Sequence, residues 1–240
     1  MKKNPGLAII IPMYNEEIGA QKCVEQILKT ITSINYPIKL IVVNDGSRDK
    51  TQDILAPLEK IHKKNLKVVT YKKNRGYGGA LQEGIRVAFE NKNEYGLFMD
   101  SDLTNDPKYI KDFVKMIPKN YDLVKASRYI HGGKNNTQLK RRIFSFTASL
   151  ISRNLFRMGI KDCTNGFRMV RLSMIKDINF KENSFPIILE ELYHLKKKKA
   201  KAYEIPNILT ARKNSTSHFH YNYATIWGYT KYALKASLII

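Results

Sequence analysis

Two aspartates that follow an apolar run are the residues best suited to chemistry in this sequence. Asp100 and Asp102 are separated only by Ser101 and come directly after Leu97-Phe98-Met99, a pattern typical of the end of a buried strand. Residues two apart in an extended chain point to the same side, so both carboxylates can bind one ligand. Hard cations such as Mg²⁺ and Mn²⁺ prefer carboxylate oxygen. The spacing indicates a divalent metal site, although a polar loop capping a helix near Pro107 would use the same residue types.

The charge of the chain restricts its partners. The 240 residues include 42 Lys and Arg against 21 Asp and Glu, a formal net charge of +21, which exceeds what solubility requires. We expect an anionic partner. Nucleic acid is not expected, because the sequence has no zinc-finger spacing, aromatic RNA-binding signature or basic zipper. An anionic membrane surface is therefore the anionic partner that we expect. The densest basic run is 196–199, which a solvated helix end would explain equally well.

The cysteines and the apolar runs suggest where the chain works. Cys23 and Cys163 form neither a disulfide framework nor a metal-ligand spacing, which favours a reducing compartment. We find no signal peptide, and no apolar run approaches the roughly 18 to 20 residues that span a bilayer. We therefore expect a cytoplasmic chain that is soluble or peripheral at the cytoplasmic face of a membrane.

Apolar runs alternate with helical patterns through the first half of the chain. The runs are 7–11, 40–43, 66–70, 97–99 and 121–126. The helices between them are expected at about 17–31, at about 51–63, from the end of the glycine loop at Ala80 to about residue 90, and at about 107–117. Five alternations predict an α/β fold with a doubly wound, mostly parallel sheet flanked by helices. In such a sheet, ligands bind at the carboxyl ends of the strands.

Polar segments follow four of these runs. They are Asn15 with Glu16, Asp45, the glycine loop from Arg75 to Gly79, and the pair Asp100 and Asp102. A glycine loop at a helix N-terminus suits a phosphate group, although a plain strand-to-helix turn has the same composition. We expect all four segments to lie at one edge of the sheet.

The second half of the chain is less regular. A helix over about 140–158 is amphipathic, and of a core helix and a membrane-surface helix we favour the second. A helix over about 185–197 carries Glu190 and Glu191, and a strand is expected over 202–205. The tail 221–240 mixes aromatic residues with lysine. This composition suits a membrane interface, but packing against the domain would explain the aromatic residues as well.

Several ordered motifs together resemble family-2 glycosyltransferases, more narrowly the branch that includes dolichol-phosphate mannose synthases and polyprenyl-phosphate glucosyltransferases. The motifs are 12–16, 44–47 with Asp49 and Thr51, 74–80, 100–102 and 165–168. The match spans about 7–218. It implies a nucleotide-sugar-binding fold of GT-A type and transfer of a hexose, with inversion, from a UDP- or GDP-linked donor to a polyprenyl phosphate. It implies a catalytic domain over 1–220, with a nucleotide-sugar half (1–126) and an acceptor half (127–220), before the tail.

The resemblance also implies roles for individual residues. The nucleotide sugar would be held by Pro12, Tyr14, Glu16, Asp45, Arg75, Gly79, Asp100 and Ser101. Asp100 and Asp102 would bind the diphosphate through Mg²⁺ or Mn²⁺. The acceptor phosphate would be bound by Arg128, Arg141 with Ser145, and Arg212, and further acceptor-side candidates are Arg168, Ser217 and His218. Arg141 could instead be an ordinary helix-start arginine, and Arg128 could simply pair with a nearby acid.

Some positions depart from the family pattern. Asn44 stands where a second aspartate is common, Thr104 where a glutamine is common, and His218 where a lysine is common. The last change leaves the acceptor open. A sugar hydroxyl would require a base, for which Glu190 or Glu191 is the candidate, unless both are surface acids paired with 196–199. A non-catalytic module that binds a nucleotide or a membrane is another reading. The particular sugar and base, the oligomeric state and any membrane segment after Ile240 are not predicted.

Overall fold

The computed structural model describes residues 5–211 and 223–239. The strands are Gly6–Met13 (β1), Ile38–Asn44 (β2), Leu66–Thr70 (β3), Asn93–Phe98 (β4), Leu123–Ser127 (β5), Lys134–Asn135 (β6), Arg168–Arg171 (β7), Ala202–Pro206 (β8) and Ile208–Leu209 (β9). The helices are Ala20–Thr32 (α1), Thr51–Ile61 (α2), Gly76–Glu90 (α3), Ile110–Met116 (α4), Leu139–Phe156 (α5), Ile187–Lys197 (α6) and Tyr223–Ser237 (α7). Short 3₁₀ turns lie at Pro107–Tyr109, Ile117–Lys119 and Leu172–Met174.

Seven strands form one sheet in the order β3-β2-β1-β4-β7-β5-β8. All neighbours are parallel except β7, which runs antiparallel to both β4 and β5. The α/β fold with a mostly parallel sheet is thus confirmed. The strand order reverses between β1 and β4, and this switch point opens a crevice at the carboxyl ends of the strands. The short strands β6 and β9 pair separately, beside the end of β8.

Helices cover both faces of the sheet because its central strands are apolar on both sides. Leu7, Ile9 and Ile11 of β1 belong to the core cluster that includes α1. Ala8 and Ile10 belong to the opposite cluster, which includes α3, α6 and α7. Such continuous apolar runs are typical of strands buried on both faces. The two apolar cores hold the strands rigidly in the sheet. The polar segments that follow the strands are therefore held at the carboxyl ends of those strands.

Three predicted helix starts differ from the structure. Helix α3 begins at Gly76, within the glycine loop, instead of after Ala80. Helix α1 begins at Ala20 instead of near residue 17, because Glu17 is used elsewhere: its carboxylate accepts the Lys50 N–H at 3.1 Å. The helical segment after the aspartate pair begins with a 3₁₀ turn at Pro107. Asp106 caps that turn by accepting the Lys108 N–H at 2.9 Å, so the capping role considered for Asp100 and Asp102 belongs to Asp106.

The last helix, α7, packs one face against α5 and α6. Tyr229 and Tyr232 are buried in this contact, whereas Tyr223 and Trp227 are exposed. Helix α5 likewise exposes apolar side chains, including Ile143 and Phe146. Within residues 5–211 and 223–239, the structure contains no helix with the length and hydrophobicity needed to cross a membrane.

Candidate active site

A cavity of about 350 Å³ lies at the carboxyl ends of β1, β2 and β4. We call it the donor cleft. Its lining includes seven residues that the sequence assigned to nucleotide-sugar or metal binding: Pro12, Tyr14, Glu16, Asp45, Asp100, Ser101 and Asp102. These residues come from three loops that are far apart in the chain. The switch point of the sheet therefore brings them together, as its topology predicts.

Hydrogen bonds between loops fix this arrangement. Ser101 Oγ donates to Glu16 Oε1 at 3.0 Å. This hydrogen bond joins the loop after β4 to the loop after β1. The buried carboxylate of Asp45 accepts the Arg75 N–H at 2.9 Å, and burial raises the pKa of this carboxyl, with a partial offset from the hydrogen bonds it accepts. Each loop is thus held by a neighbouring one and not by its own residues alone.

The two aspartates have different environments within the cleft. Asp100 accepts the Tyr77 hydroxyl at 3.2 Å, and burial together with the nearby charge of Asp102 raises its pKa to about 6. Asp102 Oδ1 accepts both the Thr104 N–H at 3.0 Å and the Thr104 hydroxyl at 2.7 Å. Thr104, which departs from the family pattern, therefore orients the carboxylate of Asp102.

The donor set of this cleft fits a hard divalent cation. Two carboxylates line the cleft, and the raised pKa of Asp100 reports first the cost of burying its charge and then the repulsion from the nearby charge of Asp102. A cation between them would relieve that repulsion. No cluster of three or more His, Cys, Asp or Glu side chains suited to a metal occurs within the described ranges. Phosphate and water would have to complete the coordination of Mg²⁺ or Mn²⁺.

A second, smaller cavity of about 70 Å³ adjoins the donor cleft, and we call it the basic pocket. Asp100, Tyr77, Arg141 and Phe185 line both cavities. Arg128 and Ser145, which the resemblance assigned to the acceptor phosphate, line the basic pocket as well. The structure thus places the predicted donor and acceptor residues on either side of Asp100.

The two arginines of the basic pocket differ in how far their charge is compensated. Arg128 forms a buried bidentate pair with Asp162, through Nε at 2.7 Å and Nη2 at 2.7 Å, so it does pair with a nearby acid. It lines the pocket nonetheless. Arg141 has no ion pair with any residue of the described chain. Among the described residues that line the basic pocket, Arg141 is therefore the cation whose charge is least compensated.

Three acceptor-side candidates, Arg168, Glu190 and Glu191, are buried in the protein and line neither cavity. Arg168 and Glu191 are each 1% exposed and form a bidentate pair, with Nε to Oε1 at 2.6 Å and Nη2 to Oε2 at 2.9 Å. Glu190, also 1% exposed, accepts backbone N–H groups of Lys181 and Glu182. The alternative that Glu190 and Glu191 are surface acids paired with 196–199 is wrong, because α6 turns both toward the core.

Other predicted residues lie apart from both cavities or outside the described ranges. Arg75 and Gly79 line a separate open depression, where the guanidinium of Arg75 lies 3.9 Å from the centre of the Tyr71 ring. Only the backbone N–H of Arg75 reaches the donor site, through Asp45. The remaining candidates fall outside the described residues: Arg212, Ser217 and His218.

Several residues that build the site were not predicted from the sequence. Tyr77 lies within the glycine loop and had no role assigned, although an aromatic hydroxyl beside that loop could have indicated one. Asn183, Ser184 and Phe185 line the donor cleft, and no local pattern marks them. Lys125, in β5, is completely buried and donates to the Asn165 carbonyl at 2.8 Å. This bond holds the loop that forms part of the basic pocket.

The buried lysine gives a testable pH dependence of stability. Burial, and then the charge of Arg168, lower the pKa of Lys125 from 10.5 to about 8. Between these values the unfolded chain binds more protons than the folded one, so stability attributable to Lys125 rises with pH. The unfolding free energy of wild type minus that of Lys125→Met should rise by roughly 3 kcal/mol between pH 7.5 and 10.5. Urea denaturation of both proteins measures this difference, and parallel pH profiles would contradict the lowered pKa.

The fold and the cleft together define an α/β domain with a carboxylate pair at its switch point. The family model described as glycosyl transferase family 2 matches residues 8–178. The chain belongs to this family.

Similar proteins agree with this assignment. A dolichol-phosphate mannosyltransferase of Pyrococcus furiosus is 29% identical over 83% of this chain and 55% of its own length. Glucosyl-3-phosphoglycerate synthase of Mycobacterium tuberculosis, solved with Mn²⁺, UDP and phosphoglyceric acid, superimposes with a TM-score of 0.68 at 15% identity, over 98% of this chain and 80% of that one. S. aureus TarS, solved with UDP-GlcNAc, gives 0.60 at 19% identity, over 91% and 61%. These likenesses show the GT-A fold, and the chain spans about half the length of the curated relatives it matches.

Proposed function

We propose that this chain transfers a hexose from a nucleotide diphosphate sugar to a polyprenyl phosphate, with inversion and with a divalent metal. The observation that carries the proposal is the junction of two unlike cavities at Asp100. The donor cleft has two carboxylates, and the adjoining basic pocket has two arginines. One similar protein is a dolichol-phosphate mannosyltransferase, and the two solved neighbours described above were bound to UDP or a UDP-sugar.

The donor side uses residues at the switch point. The loop with Pro12, Tyr14 and Glu16 would hold the base and ribose together with Asp45. Asp100 and Asp102 would hold Mg²⁺ or Mn²⁺, which when bound neutralises charge on the leaving diphosphate. The hydrogen bond from Ser101 to Glu16 fixes the loop after β4 against the loop after β1. The hydrogen bond from Thr104 to Asp102 orients the Asp102 carboxylate.

The acceptor side needs positioning more than a strong base. A phosphate monoester is largely ionised at neutral pH, so it can attack once it is oriented and separated from water. Arg141 can grip phosphate oxygens bidentately, since its planar guanidinium matches their geometry. Arg128 is held rigidly by Asp162 and would add a second donor, and the Ser145 hydroxyl lines the same pocket.

A sugar hydroxyl acceptor is less well supported. It requires a general base within hydrogen-bond reach of the acceptor. Glu190 and Glu191 are the sequence candidates, but both carboxylates are buried and already hydrogen-bonded to the chain. Neither lines the cavities.

We also propose that the domain works peripherally at the cytoplasmic membrane face, with residues 1–126 as the donor half and 127–220 as the acceptor half, although part of the second half, Asn183 to Phe185, also lines the donor cleft. The formal charge of +21 would attract it to anionic lipid. Exposed apolar side chains on α5 and α7, among them Ile143, Phe146 and Trp227, could enter the interface.

Arg141→Met tests the acceptor assignment. We expect the rate of sugar transfer to polyprenyl phosphate to fall about 10²-fold, the usual effect of removing one charged donor from a reacting group. Arg142→Met is the matched control, because Arg142 is the next residue of α5 and lines an open groove instead of the basic pocket. Radiolabel counted in the lipid phase measures both variants. Equal rates of sugar transfer for Arg141→Met and Arg142→Met would contradict the assignment of Arg141 to the acceptor phosphate.

A further inference from the structure

One wall of the donor cleft comes from a segment far along the chain, residues 181–186. Asn183, Ser184 and Phe185 of this segment line the cleft together with Asp100, Ser101 and Asp102. The family model ends at residue 178, so its match does not reach the segment. Neither Asn183 nor Ser184 hydrogen-bonds through its side chain to any other part of the described chain. Their amide and hydroxyl groups are available to a ligand.

The 181–186 segment lies directly on the glycine loop at the start of α3. The Gly78 N–H donates to the Asn183 carbonyl at 3.0 Å. A Cβ on Gly78 would lie only 2.0 Å from the Glu182 carbonyl oxygen, and one on Gly76 only 2.4 Å from that of Asn183. Next to this contact, the rings of Tyr77 and Phe185 stack with centroids 4.7 Å apart. Glycines here thus permit a close approach of two backbones.

Glu190 holds the segment from the other side. Its Oε1 accepts the Lys181 N–H at 2.8 Å and its Oε2 accepts the Glu182 N–H at 2.9 Å. The Glu190 carboxylate is buried, so water cannot take the place of these two N–H donors if they move away. Helix α7 adds two contacts: Lys231 pairs with Glu182, and Gly228 lies against Pro186.

We propose that the 181–186 segment is a donor-binding wall, in which Asn183 and Ser184 hydrogen-bond to the bound nucleotide sugar and Glu190 is the positioning residue that holds the wall. This inference rests on the proposed donor class. Neutral hydrogen-bonding groups suit this wall, because they can contact sugar hydroxyls and phosphate oxygens without adding negative charge beside Asp100 and Asp102. Selectivity among nucleotide sugars would then depend in part on residues that no family motif marks.

A positioning role and a general-base role for Glu190 predict different effects on kcat and on donor affinity when Glu190 is replaced. A base acts on the reacting acceptor, so its loss lowers kcat and leaves donor affinity unchanged. Glu190→Gln keeps the size of the side chain but replaces one accepting oxygen with an NH₂ that faces a backbone N–H. The wall should then shift, and donor affinity should fall while kcat at saturating donor is retained.

The test measures dissociation constants of UDP and GDP with Mg²⁺ by calorimetry, together with nucleotide release at saturating donor. For the nucleotide that wild type binds, we expect Glu190→Gln to raise Kd at least 10-fold with kcat within 3-fold of wild type. Asn183→Ala combined with Ser184→Ala should raise Kd of the matching nucleotide sugar at least 5-fold. Asp177→Asn is the matched control, expected within 2-fold, because this exposed carboxylate lies outside the 181–186 segment and lines neither cavity.

The outcomes separate this inference from the proposed function. If wild type binds neither nucleotide, the donor class is wrong, and the donor wall is wrong with it. If wild type binds one of them and the Asn183 and Ser184 double variant keeps wild-type affinity for the nucleotide sugar, only the wall is overturned. These two side chains are exposed, so their replacement tests the wall even if Glu190→Gln fails to fold. A folded Glu190→Gln with unchanged Kd and a lost kcat would make Glu190 a base.

Discussion

Asp102→Asn is expected to lower the rate of sugar transfer by at least about 10²-fold, because the variant loses one of the two carboxylates that we propose bind a divalent cation. Asparagine can still accept the Thr104 N–H and hydroxyl through its amide oxygen. The loop should therefore keep its conformation while the charge is lost. Initial rates of transfer at saturating Mg²⁺ or Mn²⁺ measure the effect.

The matched control for Asp102→Asn is Asp106→Asn, four residues further along the same loop. Asp106 caps the following 3₁₀ turn, a task that asparagine performs about as well, and it does not line the donor cleft. Asp106→Asn should retain the wild-type rate. A wild-type rate for Asp102→Asn as well would remove the metal role from the carboxylate pair, and a chelator that fails to inhibit wild type would do the same.

Arg168→Met should cost about 3 to 5 kcal/mol of unfolding free energy, the usual range when one partner of a buried ion pair is removed. The substitution leaves Glu191 charged and buried without its bidentate partner. It also removes the donor to the Gly166 carbonyl, at 2.8 Å, from the loop that lines the basic pocket. A loss of this size is a large fraction of the stability of an ordinary domain.

The surface arginine Arg86 provides the control for this loss. Its guanidinium contacts Glu83 and Glu90 on the exposed side of α3, so Arg86→Met should change stability by less than about 1 kcal/mol. The double variant Arg168→Met with Glu191→Leu removes both buried charges and should recover part of the loss. Urea denaturation of the four proteins measures these differences. Equal losses for Arg168→Met and Arg86→Met would contradict the account of the buried pair.

The first half of the fold follows from local patterns in the sequence. Apolar runs such as Leu40 to Val43 predict strands buried on both faces, and their alternation with helices predicts a parallel sheet. Once the sheet is parallel, the polar residues after each strand must meet at one edge. The sequence therefore predicts Asp45, Asp100 and Asp102 at one site, and all three line the donor cleft.

The second half depends on tertiary contacts that no local pattern encodes. The four residues of β7 insert antiparallel between β4 and β5, and a strand so short has no periodicity that predicts its neighbours. Glu190 and Glu191 look like exposed acids on a lysine-rich helix, but burial beside Arg168 and the 181–186 segment decides their roles. The approach of that segment to the glycine loop joins residues about a hundred positions apart.

Transfer of label from a panel of UDP- and GDP-sugars to polyprenyl phosphate in detergent tests the central claim most directly. Each reaction is run with Mg²⁺ or Mn²⁺ and with a chelator, and unphosphorylated polyprenol serves as the matched acceptor. The account predicts label in the lipid phase from one donor, only with metal and only when the acceptor carries its phosphate. Metal-dependent nucleotide release with transfer to a soluble sugar hydroxyl, and none to the lipid phosphate, would contradict it.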